Sequence, residues 1–133
     1  MREIKFRAWN VKHGMRIPDQ MRNDGLVLTF DGRVLFDNYA DESLRWEIMQ
    51  YTGLNGKNGV CVYEDDIVTA KTNIHPACDV RGKVVFEDGE YLVEQDDGTF
   101  PMCSFAVIDR LSIEVIGNIH QHPELLGGEN GNS

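Results

Sequence analysis

The chain has 133 residues, 41% of them hydrophobic and 26% charged, with a formal net charge of −9. That length suits one domain with a substantial core, no apolar run approaches the ~20 residues of a membrane helix, and three cysteines without a C-x-x-C pair argue against a disulfide scaffold. The acidic balance repels phosphate backbones and so disfavours broad non-specific nucleic-acid binding.

The charge is unevenly spread. Residues 1–22 carry six cations (Arg2, Lys5, Arg7, Lys12, Arg16, Arg22) against Glu3 and Asp19, while the remaining 111 residues carry seven Lys/Arg against twenty Asp/Glu. A basic leading segment and an acidic body are complementary, within one molecule or between copies.

In chain order, Ile4, Phe6 and Ala8 alternate with Lys5, Arg7 and Trp9, which predicts a strand with one apolar face. MREIKFRAWN contains no apolar signal-peptide core, so a cytoplasmic location is expected. His13-Gly14 predicts a turn before Met15-Arg16-Ile17, and residues 18–25 read as a polar loop. Leu26 to Phe30 and Val34 to Phe36 predict two strands joined through Asp31-Gly32.

Residues 44–54 are ambiguous. Leu44, Ile48 and Tyr51 fit a helical stripe, and Leu44, Trp46 and Ile48 fit strand alternation. The turn chemistry that follows favours a strand from about Glu47 to Thr52.

Tyr51 to Val68, YTGLNGKNGVCVYEDDIV, then packs Asn55-Gly56 and Asn58-Gly59 between apolar segments and closes on Glu64-Asp65-Asp66. Asn-Gly is a hairpin signal because type I′ turns need positive φ at both central residues. Strands are predicted over Val60 to Tyr63 and Ile67 to Lys71, then a polar excursion over Lys71 to Arg81 in which Pro76 is unsuited to a central strand. Gly82 to Glu87 and Tyr91 to Gln95 form a hairpin through Asp88-Gly89. A further turn is expected at Asp96-Asp97-Gly98-Thr99, then strands over Phe105 to Ile108 and Ser112 to Ile119. Pro123 begins a single helical turn through Leu126, and residues 127–133 lack apolar side chains and are expected to be disordered.

Short strands with turns every 8–12 residues predict a mainly β protein, a compact barrel or sandwich. The expected division is a β-hairpin region over residues 1–59 and an SH3-like barrel over 60–126, with the hairpins packed on the barrel or reaching a neighbouring subunit.

Three segments, MREIKFRAW, YTGLNGKNGVCVYEDDIV and IEVIGNIHQHPELL, in this order and spacing, resemble the YopX family of phage and prophage proteins over residues 1–126. The resemblance implies a phage origin in a bacterial host, β architecture and oligomerisation, with no catalytic residues to carry over. The family's usual Tyr-Glu-Gly-Asp corner reads Tyr63-Glu64-Asp65-Asp66 in this chain. Asp65 thus stands where Gly is usual, and Asp is among the few residues that tolerate positive φ. His120 and His122 stand where the family more often has tyrosine and asparagine.

Candidate chemistry is thin. His75 and Cys78 with His120 and His122 offer zinc-type ligands, but the H-x-x-C spacing is loose and exposed histidines with a free thiol account for them. The acidic corner could hold a hard cation, yet no EF-hand spacing appears and Asp side chains serving turn N–H groups explain it better. Gly56-Lys57 superficially suggests a phosphate loop, but Asn58 follows where Ser or Thr is required. Cys103-Ser104 has no triad signature. Trp9, Trp46, Tyr51, Tyr63 and Tyr91 are expected in the core or an interface.

No cofactor, metal or catalytic set is expected. The leading expectation is a non-enzymatic accessory protein acting through protein–protein contacts and self-association. The alternative is a nucleic-acid-associated module using Arg2, Lys5, Arg7 and Lys12, which charge reversal at those positions would abolish.

Overall fold

The computed structural model describes residues 3–10, 21–22, 26–36, 40–41, 46–72, 79–95, 98–101 and 108–127. They are mainly β, as expected, with one short helix. No helix among the described residues is long and apolar enough to cross a membrane. The chain divides into an N-terminal unit, Ile4–Gln50, and a C-terminal unit made of Tyr51–Ser133 with Met1–Glu3.

In the N-terminal unit, β1 (Phe6–Asn10) pairs antiparallel with β2 (Met21–Arg22), and a three-stranded meander follows through β3 (Leu26–Leu28), β4 (Val34–Phe36) and β5 (Ala40–Asp41). The first half of β6 (Trp46–Asn55) lies along the other side of β1, with Ala8 opposite Ile48 and Asn10 opposite Trp46. Ala8, Val34 and Trp46 form the buried cluster, with Leu26, Leu28 and Ile48 packed on it.

Two expectations are corrected in this unit. Ile4 and Phe6 were placed on the apolar face of β1, yet they are 62% and 36% exposed, whereas Ala8 and Trp9, on opposite faces, are both buried. Cover therefore falls on both faces of the strand's far end and not along one face. Phe30 lies beyond β3, in the connection to β4, and is fully exposed. That connection is five residues long, because Leu28 pairs with Val34, and only Gly32 in it has positive φ, at 90°. A two-residue Asp-Gly turn was the simpler expectation. The hydroxyl of Thr29 instead organises a wider loop, accepting the Arg33 N–H at 2.9 Å.

The C-terminal unit opens with the second half of β6. Its pairing with β7 (Cys61–Tyr63) shifts register between Tyr51 and Asn55, where Gly53 takes φ +89°. Such a bulge strands backbone groups, and the buried Thr52 hydroxyl recovers two of them, donating to the Val62 carbonyl at 2.8 Å and accepting the Leu54 N–H at 3.1 Å. A 3-10 turn at Lys57–Gly59 joins the two strands.

Asn58 and Gly59 have φ 62° and 75°, the left-handed pair that the second Asn-Gly predicted. Gly56, in the first Asn-Gly, has φ −87°. It is glycine for space, since a Cβ there would lie 2.4 Å from the Ile113 carbonyl oxygen.

Five further strands form one antiparallel sheet: β8 (Asp66–Thr72), β9 (Asp79–Glu87), β10 (Glu90–Gln95), β11 (Gly98–Pro101) and β12 (Ile108–Asn118), in the order β11-β10-β9-β8-β12. The last strand returns beside the first, and the sheet curls into a half-barrel. Among the described residues no ladder joins β11 to β12, so the closing step of an SH3-like barrel is absent from this pairing. The β9–β10 turn is as expected, with Asp88 and Gly89 at φ 52° and 85°. Gly98 and Thr99 were expected in a turn but open β11, pairing with Gln95 and Glu94.

Val62, Val68, Ala70, Val80, Val84, Val93 and Ile113 make the core of this unit. Trp9, Trp46 and Tyr51 are buried and Tyr63 and Tyr91 half-buried, in keeping with a core role. The helical turn from Pro123 is present as α1 (Glu124–Gly127). Residues 128–133, the Met15–Ile17 segment and the first part of the Phe105–Ile108 strand lie outside the described residues.

Candidate functional site

Two surfaces carry chemistry in the C-terminal unit and one in the N-terminal unit. The first is the acidic corner between β7 and β8. Asp65 adopts φ +68°, the geometry inferred from the glycine it replaces. Its N–H donates to the Val84 carbonyl at 2.9 Å and its carbonyl accepts the Ile119 N–H at 3.0 Å, so the corner is tied to both β9 and the end of β12.

The Asp65 carboxylate meets His120 Nε2 at 3.0 Å, with the two side chains 20% and 11% exposed. Asp66 is 1% exposed, and its carboxylate accepts the Tyr63 N–H at 2.8 Å. The carboxylates of Asp65 and Asp66 thus serve the turn and its neighbour.

His120 and His122 sit in a turn and are half-buried, where exposed histidines were expected. Asn118 builds that turn: its side-chain oxygen accepts the N–H groups of His120 at 3.1 Å and Gln121 at 2.9 Å. His122 Nδ1 accepts the Asn118 N–H at 3.3 Å, which commits that lone pair. Gly117 makes room for this ring, since a Cβ there would lie 2.8 Å from His122 Nδ1. His75 and Cys78, the other half of the suggested zinc set, lie outside the described residues.

Asp65→Ala is expected to cost more than Asp65→Gly by about 1 kcal/mol in urea melts, because both lose the His120 contact but only alanine strains the left-handed backbone. The reverse order would show that side-chain packing and not φ governs the corner.

The second surface is a concavity of about 650 Å³ on the polar side of the half-barrel sheet, lined by Lys57, Lys71, Arg81, Asp79, Glu114 and Ser112 among others. Register explains the grouping: Lys71 faces Asp79, and Thr69 faces both Arg81 and Glu114. These residues alternate with buried Val68, Ala70 and Val80, so the strands put hydrocarbon on one side and charge on the other. Ser112 Oγ accepts the Lys71 N–H at 2.8 Å. The arrangement can hold ionic groups of a polar partner through charge-assisted hydrogen bonds. Sequence reading missed it, although the alternation of Thr69 with Lys71 and Asp79 with Arg81 was the available signal.

The third surface belongs to the N-terminal unit. A shallow dent of about 70 Å³ is walled by Phe6 and Ala8 of β1, Leu26, Leu28 and Val34 of the meander, and Ile48 of β6, with Arg7 and Arg22 adding positive charge. Arg7 and Lys5, two of the predicted interaction residues, are half-buried, while Arg2 and Lys12 lie outside the described residues. Of the six large hydrophobic side chains that are exposed among the described residues, Ile4, Phe6, Val27 and Phe30 belong to this unit.

Comparison with known proteins agrees with the architecture. The family model described as YopX protein matches residues 5–127. The crystal structure of protein EF1440 from Enterococcus faecalis is similar to this chain at 25% identity, covering 95% of this chain and 99% of that one with a TM-score of 0.56. No curated protein matches it.

Proposed function

The chain belongs to the YopX protein family, and from that premise we propose a phage or prophage accessory protein that works through protein–protein contacts, including contacts with further copies of itself. The observation that carries this reading is the exposed hydrocarbon of the N-terminal unit: Ile4 is 62% exposed, Val27 50% and Phe30 fully so. Exposed Phe6 and Val27 border one concavity beside β1, and apolar side chains grouped in a patch characterise an interaction surface.

Charge supports a partner of the same kind. The N-terminal unit carries seven Lys/Arg against seven Asp/Glu, whereas the C-terminal unit carries six against fifteen. The basic part of the N-terminal unit is its leading segment, where residues 4–22 carry five Lys/Arg against Asp19 alone, and this segment is complementary to the acidic unit of another copy. Charged rims steer association and lose strength as salt screens them.

Sedimentation velocity over a concentration series tests the reading. Oligomers at low salt that dissociate as salt rises are the expected result. A monomer at low salt and high concentration would overturn it.

A further inference from the structure

The tip of the β3–β4 hairpin is built to hold a phenylalanine in solvent. Phe30 has a relative exposure of 113%. The loop around it is closed by backbone bonds, Thr29 N–H to the Arg33 carbonyl at 2.9 Å and Gly32 N–H to the Thr29 carbonyl at 3.0 Å. The Asp31 carboxylate accepts the Thr29 hydroxyl and, through both oxygens, Arg33 Nε at 3.2–3.3 Å. A loose tip would fold its ring back onto its own hairpin. The backbone of this one is held in place, so on docking the ring has only its own side-chain torsions to fix.

The same unit carries a matching receptor. The dent beside β1 has hydrocarbon walls and the positive charge of Arg7 and Arg22. The knob is a ring followed at once by a carboxylate, Phe30-Asp31. A carboxylate offers about four acceptor sites, so Asp31 can keep its own loop contacts and accept from an arginine as well. The dent's volume of about 70 Å³ is roughly half of the ~150 Å³ that encloses a whole benzene molecule. It therefore takes the leading edge of a ring and leaves the rest against its rim.

We infer that Phe30 of one copy seats in the dent of a second copy, with Asp31 set against Arg7 and Arg22. The inference rests on the self-association proposed above and adds to it a contact between the N-terminal units of two copies. Phe30 is the anchor. Arg7 and Arg22 supply charge and orientation.

Phe30→Ala, Phe86→Ala and the parent protein are compared by sedimentation velocity at low salt. Phe86 is the control, an aromatic 51% exposed in the other unit. Phe30→Ala is expected to weaken association by roughly 30-fold or more, the size of a hot-spot truncation, and Phe86→Ala by less than about 3-fold. Dilute thermal melts of Phe30→Ala should match the parent, since the ring packs on nothing in the monomer. A photo-crosslinking residue at position 30 should give intermolecular adducts on β1 or on residues 26–28.

If the parent associates but Phe30→Ala associates equally, or the adducts map elsewhere, this contact is wrong and self-association stands. If the parent stays monomeric, both fall.

Discussion

Gly82→Ala is expected to destabilise the C-terminal unit by about 3 kcal/mol, the upper end of what overpacking a well-packed interior costs. Gly82 lies in β9 opposite Val68, and a Cβ built on it would come 2.1 Å from the Glu94 carbonyl oxygen and 3.2 Å from Val93 Cγ1. Relief needs a shift of about 1 Å in backbone that is pinned on both sides, since Lys83 pairs with Glu94 and Val84 with Val93. This is a question of space, because Gly82 is not among the residues with positive φ. Gly89→Ala provides the contrast: φ is +85° with nothing within 4 Å of its Cβ, so only the left-handed strain, about 1 kcal/mol, applies. Urea melts followed by far-UV circular dichroism rank the two. A Gly82 variant as stable as the Gly89 variant would mean that the sheet does not approach itself this closely.

Gly82 also shows where sequence reading stops. Turn glycines were legible because their demand is local: Asp88-Gly89 and Asn58-Gly59 take the left-handed pairs their chemistry predicts. Gly82 and Gly56 answer to backbone atoms far along the chain, and nothing within a few residues of either says so. The same holds for β6. Its alternation breaks because Gly53 inserts a bulge, so Tyr51 and Thr52 are both buried, and the pattern matched neither a clean helix nor a clean strand. Asp65 was legible for the opposite reason. The resemblance supplied a glycine at that corner, and the physics of φ then restricted what could replace it.

The candidate surfaces were less visible than the strands. His120 meets Asp65 across 55 residues of sequence, and Lys71 meets Asp79 only through strand register. Phe30 was read as the last residue of a strand, since an apolar run followed by Asp-Gly carries that meaning by default. What moved it to the surface is the Thr29 hydroxyl, whose bond with the Arg33 N–H starts the loop two residues earlier. The hydroxyl of Thr29 and the guanidinium of Arg33 also hold the Asp31 carboxyl below its ordinary range. The loop that presents the ring therefore keeps its negative charge next to it.

Ile113→Ala is expected to cost about 3–4 kcal/mol, within the range for emptying a fully buried aliphatic site. Ile113 is 0% exposed and packs among Val62, Val68, Val80, Val84 and Val93. It sits where β12 loses register against β8, between Asp109 and Glu114, and its own carbonyl is the atom that Gly56 must clear. The side chain thus closes the core at a point where the ladder is interrupted. Ile113→Val should cost only about 1 kcal/mol, because one methyl is lost and strand preference is kept. Both tryptophans, Trp9 and Trp46, belong to the N-terminal unit, so their fluorescence follows that unit, and far-UV circular dichroism is the probe for this variant. If Ile113→Ala loses no more than Ile113→Val, the cavity is absent and strand preference alone explains the position. The graded loss predicted here requires Ile113 to fill the space that β8 leaves open at the break in its pairing with β12.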